Sequence, residues 1–146
     1  KATEMQAAIG LSQLEKLESF INKRKHNFSY LYEKFSELDS FQLPSWHKLS
    51  DPSWFGFPLT IKSEKIDRTK LLKFYEERNI GTRLMFAGNI KKQPAYINAD
   101  IKVPENTPIA DIVLDKTFWL GVYPGLTIEM LDFVYEQTKE FLKEIK

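Results

Sequence analysis

Apolar residues recur every seven positions at Leu14, Ile21, Phe28 and Phe35, and no proline intervenes before Pro44. That spacing is helical. Leu17, Leu31 and Leu38 form an offset row, with Arg24 standing on the apolar seam. Upstream, Thr3-Glu4-Met5-Gln6 has the spacing of a capping box, in which the Thr3 hydroxyl and the Gln6 side chain each satisfy a backbone N–H of the first turn. A helix from there to residue 38 would run on the order of 50 Å. Such a rod outruns a small domain, so it must bend or link two bodies, and the polar stretch Asn22-Lys23-Arg24-Lys25 is the expected joint. A coiled coil is the alternative; Arg24 on the seam and the short repeat argue against it.

The remainder alternates short strands with short helices. Residues 43–53 are turn-rich, with Pro44 and Pro52. Residues 54–62, aromatic and β-branched, read as a strand in which Pro58 marks an edge or a bulge, because proline cannot donate to a ladder. Asp67 caps a helix carrying Leu71, Leu72, Phe74 and Tyr75 and ending near Asn79. Residues 80–84 form a second strand, 109–115 a helix and 118–123 a third strand. Thr127 caps a last helix with Leu131, Val134, Leu142 and Ile145 as its core stripe. The class is α+β: one small sheet with helices on one face, spanning residues 39–146, preceded by a long connecting helix over 1–38.

Composition narrows the chemistry. The 21 basic and 20 acidic residues leave a formal charge of +1, which offers no concentrated basic face for nucleic acid. Residues 23–26 are the densest basic cluster and read as a solvated helix face. With no cysteine, the chain carries neither a disulfide nor a thiolate metal site, which is compatible with a cytoplasmic protein. No apolar run reaches the ~20 residues of a membrane helix. His26 and His47 have no partner at ligand spacing, so no metal site is expected. A phosphate-cradling glycine loop and a nucleophile elbow are absent as well. Two segments exceed what scaffolding needs. Residues 81–89 end a strand with Arg83 and follow it with Gly88-Asn89; arginine and asparagine suit phosphate or hydroxyl recognition. Residues 118–126 are strongly aromatic and contain Gly121 and Gly125.

Residues 3–14, Thr3-Glu4-Met5-Gln6-Ala7-Ala8-Ile9-Gly10-Leu11-Ser12-Gln13-Leu14, resemble a segment of the DegT/DnrJ/EryC/StrS sugar aminotransferases. In those enzymes, which share the aspartate aminotransferase fold (fold type I), the motif begins the long helix that leaves the large domain. Three further motifs are similar to the nucleotide-sugar 3-dehydratases that act on CDP-4-dehydro-6-deoxyglucose. They are Ser53-Trp54-Phe55-Gly56-Phe57-Pro58, residues 82–89 with Gln93-Pro94, and residues 117–127. The resemblance runs to Lys146 and covers about the last third of such an enzyme.

This resemblance implies removal of the C3 hydroxyl of a nucleotide sugar, in the making of lipopolysaccharide O-antigen dideoxysugars. It implies pyridoxamine or pyridoxal phosphate as cofactor, a 2Fe–2S cluster fed by an electron-donating reductase, and a homodimer. The catalytic and cluster-binding residues would lie upstream of Lys1, so no catalytic residue, metal or bound cofactor is expected in these residues alone. Phe55, Arg83 and Asn89 are the pocket candidates. Related aminotransferases commonly have a histidine at the position of Phe55, facing the active site; phenylalanine cannot shuttle a proton there. A sugar aminotransferase of the same superfamily, or a non-catalytic binding or assembly module, remains the alternative.

Overall fold

A computed structural model describes residues 2–104 and 106–145. The long helical stretch is two helices. Helix α1 (Glu4–Leu14) opens on the expected capping box: Thr3 Oγ1 accepts from Gln6 N at 3.3 Å, and Gln6 Oε1 accepts from Thr3 N at 2.9 Å. At Glu15 and Lys16 the chain tightens, with Lys16 N donating to Gln13 O, and α2 (Leu17–Phe35) follows. The joint therefore lies ahead of residues 22–25, which stay inside α2. Tertiary contacts explain the difference. Arg24 bonds the carbonyls of Trp54 and Phe55, Lys25 pairs with Asp51 at 2.5 Å, and Asn27 and Phe28 are buried. Helix α1 buries nothing, so the chain yields where no packing restrains it.

The sheet has four antiparallel strands in the order β1-β2-β4-β3: β1 (Phe41–Gln42), β2 (Gly56–Ile61), β3 (Thr82–Leu84) and β4 (Thr117–Gly121). The two-residue β1 is too short for sequence alternation to reveal. Its shortness also places Pro58. Lys62 N donates to Ser40 O, so by the two-residue alternation Thr60 and Pro58 present their nitrogens to the same side. Strand β1 ends opposite Thr60, which leaves Pro58 on a local edge with no donor missed.

Phe57, Leu59 and Ile61 of β2 and Phe118 and Leu120 of β4 form the buried face of the sheet. Helix α2 covers it through Phe28 and Phe35, whose rings meet Phe57 edge-on at 5.3 and 5.4 Å. Helix α3 (Arg68–Glu76), capped by Asp67, brings Tyr75 against Phe118. Its end is set by Asn79 at φ 58°, with Ile80 N returning to Tyr75 O, a left-handed stop that asparagine tolerates. Helix α5 (Ile128–Glu144) packs on both: Tyr135 meets Phe35, and the Tyr75 hydroxyl bonds Thr138 Oγ1 at 2.7 Å in the buried core. Burial pushes that tyrosine far above its ordinary pKa. Val134, Leu142 and Ile145 lie at the core margin, while Leu131, Tyr135, Thr138 and Phe141 are the buried stripe of α5.

Helix α4 (Pro108–Lys116) runs directly into β4. Two single-turn 3-10 helices, Ile90–Lys92 and Pro94–Tyr96, occupy the loop before it. Gly88 joins loop and helix. Its φ is +61°, and a Cβ there would sit 2.5 Å from Leu114 Cα. Gly88→Ala is therefore expected to cost about 1–3 kcal/mol, from backbone strain and a clash with main chain that cannot turn aside. Thermal or urea unfolding measures this; an unchanged midpoint would mean that the loop does not rest on α4.

Candidate functional site

The sheet end where Gly56 pairs with Gly121 is open and aromatic. Phe55 precedes β2 there and is 70% exposed, its ring 5.0 Å from that of Trp119 on β4. The Trp119 indole lies over Gly56, where any Cβ would meet Cε3 at 2.2 Å. Glycine at 56 thus lets the indole lie down on the strand. Tyr123, just beyond β4, is also exposed and rests on Gly125. On the face away from the core, Pro58, Trp119 and Arg83 stand in one cross-strand row. Arg83 is exposed and, among the described residues, its guanidinium bonds only the neighbouring Thr82 carbonyl, which leaves further donors facing solvent.

The structure thus brings Phe55 and Arg83 to either side of Trp119. Asn89 stands apart from that row. It is 4% exposed and donates to Thr107 Oγ1 at 2.9 Å and Asp111 Oδ1 at 2.6 Å, while its own carbonyl accepts from Lys91 N. Its amide fastens the loop to α4. Between Arg83 and Asn89 the chain makes two tight turns, with Phe86 N donating to Leu84 O and Gly88 N to Met85 O. Phe86 takes φ 46° and is 85% exposed. An aromatic residue with positive φ, held in solvent by an anchored loop, is strained backbone of the kind that gathers at binding sites.

The sequence reading overlooked Phe86, Arg24 and Asn27. Arg24 left one signal, its place on an otherwise apolar helical seam. Phe86 falls inside the stretch 81–89 that the sequence singles out, but nothing there marks it individually, because its conformation comes from the two turns.

Beside this end a cleft of about 610 Å³ opens between β4 and the start of α5, lined by Leu31, Ile80, Leu120, Tyr123, Met130 and Phe133. Glu129 stands at its rim. Its carboxyl is held below the ordinary range by a backbone N–H at the α5 N-terminus and by Thr127.

An exposed aromatic end beside a guanidinium can exclude water from a flat ring and attract phosphate. It does not by itself seat pyridoxal phosphate, which needs a phosphate cradle, a partner for its ring nitrogen and a residue facing its reactive carbon. The donors here are single and widely spaced, and the buried polar side chains, such as Asn27, Asn89 and Thr138, are bonded within the fold. Among the described residues no helix is long and apolar enough to cross a membrane.

A helix pair leading into a four-stranded antiparallel sheet, with an open aromatic end, is an arrangement found within the aminotransferase fold of solved sugar enzymes. The chain belongs to the DegT/DnrJ/EryC1/StrS aminotransferase family, whose model matches residues 1–139. It is 48% identical over 143 residues to the lipopolysaccharide biosynthesis protein RfbH of Salmonella typhimurium, covering 97% of this chain and 33% of that protein. It is 46% identical to the dTDP-4-dehydro-2,6-dideoxy-D-glucose 3-dehydratase of Saccharopolyspora spinosa, covering 97% and 31%. The solved GDP-4-keto-6-deoxy-D-mannose-3-dehydratase of E. coli with bound hydrated PLP superposes with a TM-score of 0.81 at 27% identity, over 92% of this chain and 34% of that one. The chain spans about a third of the length of these relatives. The fold class and the family resemblance read from the sequence motifs are both borne out.

The loop anchor has a pH signature. Lys92, 2.9 Å away, and Asn89 hold the Asp111 carboxyl below its ordinary pKa. A carboxylate depressed in the folded state contributes stability that is fully present above its unfolded pKa of about 4 and is lost as pH falls through the lower folded value. Unfolding midpoints should fall below about pH 4 in the parent chain and less steeply in Asp111→Asn. Parallel acid limbs would show that the anchor contributes nothing.

Proposed function

We propose that this chain forms the C-terminal third of a nucleotide-sugar 3-dehydratase. The observation that carries the reading is Phe55. An aromatic ring without a transferable proton stands exposed at the open end, in a chain 46–48% identical to RfbH and to a sugar 3-dehydratase. A dTDP-sugar transaminase of Shigella dysenteriae is only 26% identical, which favours dehydration over amino transfer. On this reading Phe55, with Trp119, walls the pocket and keeps water from the reacting sugar. Arg83 supplies charged hydrogen bonds to the substrate diphosphate, and Asn89 lies near the nucleotide sugar as the anchor of the loop that bears Phe86. CDP-4-dehydro-6-deoxyglucose is the proposed substrate, and the proposed setting is cytoplasmic synthesis of O-antigen dideoxysugars.

The same reading gives the intact protein pyridoxamine or pyridoxal phosphate, a 2Fe–2S cluster supplied by a reductase, and a homodimeric state. These rest on resemblance to the 3-dehydratases. The chain has no cysteine, so cluster ligands would come from outside these residues.

Two experiments test the assignment. In the full-length protein, Arg83→Ala should raise KM for the nucleotide sugar roughly tenfold, as expected when a charged hydrogen bond is lost, with little change in melting temperature. A lowered melting temperature at constant KM would make Arg83 structural. Phe55→His, combined with a Schiff-base lysine in the upstream domain, should turn part of the product from dehydration to amino transfer. Complete absence of transamination would remove Phe55 from the pocket.

The 146-residue chain alone should show no turnover and should self-associate. Helix α1 leaves Met5 and Ile9 exposed on one side and Leu11 and Leu14 on roughly the opposite side, an apolar surface with no partner among the described residues. Light scattering across a concentration series reads this, and a clean monomer at high concentration would speak against a missing covering domain.

A further inference from the structure

We propose that Arg24 is a positioning residue for Phe55, setting the aromatic wall from the opposite side of the strand entrance. The inference rests on the reading of Phe55 as a pocket residue, and it concerns a residue outside the pocket itself.

Arg24 projects from α2 toward the segment leading into β2. Its Nη1 donates to Trp54 O at 3.3 Å and to Phe55 O at 3.5 Å. Those two carbonyls are its only polar partners among the described residues, although acidic side chains such as Asp51 lie on the same loop. One guanidinium nitrogen shared by two consecutive carbonyls ties together the two peptide planes that flank the Phe55 Cα, and the angle between those planes determines where the Phe55 side chain leaves the backbone. The neighbouring contacts hold the segment on both flanks. Trp54 stacks on Phe28 of α2 at 4.8 Å and 4°, and Gly56 is pinned beneath the Trp119 indole. Between these fixed points, the Phe55 backbone has Arg24 as its side-chain hydrogen-bond partner.

One turn further along the same helix, Asn27 repeats the device on the other segment of the open end. It is 3% exposed and donates Nδ2 to Tyr123 O at 2.9 Å. Two polar side chains at i and i+3 therefore hold the carbonyls behind Phe55 and Tyr123, the exposed rings at the ends of the paired strands β2 and β4. A helix that needed only to pack would place apolar side chains here, as the heptad spacing around Arg24 does elsewhere.

The test uses the full-length protein labelled with 5-fluorotryptophan, its fluorine signals assigned by single Trp→Phe replacements. Arg24→Ala should shift or broaden the Trp119 and Trp54 signals and lower kcat/KM about tenfold, the size expected for loss of a charged hydrogen bond. Arg24→Lys, which keeps a charged donor but on a shorter, non-planar head group, should fall between; it also serves if the alanine variant does not fold. In a double-mutant cycle, Arg24→Ala should cost less than about twofold once Phe55 is alanine, because its effect acts through that ring.

Equal losses in both backgrounds, or Trp119 and Trp54 signals unmoved in both Arg24 variants, would overturn the proposal. If Phe55→Ala alone leaves turnover intact, the pocket reading fails instead. The fluorine signals then decide the positioning role of Arg24 by themselves.

Discussion

The packing of Phe28 and Phe35 on Phe57 is the contact on which the rest of the structure depends. Each ring is buried, and full burial of such a side chain contributes about 1.5–3 kcal/mol. The edge-on geometry adds roughly 0.5–1.5 kcal/mol per pair. More consequential is what the contact fixes. Phe57 lies one residue beyond the Gly56–Gly121 pair, so seating it between two turns of α2 sets both the rotation of the helix and the height of the sheet end against it. Arg24 and Asn27, on the turns just before and beside Phe28, are thereby brought to the carbonyls of Trp54, Phe55 and Tyr123.

The two faces of the sheet divide the labour. One face is closed by Phe57, Leu59, Phe118 and Leu120 under the helices, with polar interruptions such as Tyr75–Thr138 fully paired. The other presents Pro58, Trp119 and Arg83, and its open end presents Phe55. Alternation along β4 makes this possible: Phe118 and Leu120 point inward while Trp119, between them, points outward. An indole on the outward face of a sheet would ordinarily be a liability, yet Trp119 lies on a glycine and supports a second ring, so it is half-buried within the fold.

The loop residues 85–104 and their tie to Thr107 are organised by different physics. These residues have little apolar burial, and their geometry rests on polar anchors: Asn89 to Thr107 and Asp111, Lys92 to Asp111, and Gly88 against the α4 backbone. Such a segment keeps its shape through a few hydrogen bonds, and so it can carry Phe86 into solvent in a left-handed conformation that a core would not supply.

Local chemistry in the sequence determined a good deal. The capping box at Thr3 and the caps at Asp67 and Thr127 each depend on a few neighbouring residues, and the helix starts they imply stand as read, while the end expected near Asn79 falls three residues earlier, at Glu76. The three longer strands were legible because β-branched and aromatic residues cluster there, and the family because its motifs are contiguous. The place where the long helix breaks, the two-residue β1, the outward-lying Trp119 and the buried role of Asn89 were decided by tertiary structure alone. Each depends on partners 18 to 96 residues distant, as in Asn89–Thr107 and Asn27–Tyr123. A side chain's own spacing records which way it faces along its helix or strand, but not which backbone carbonyl arrives opposite it when the core closes.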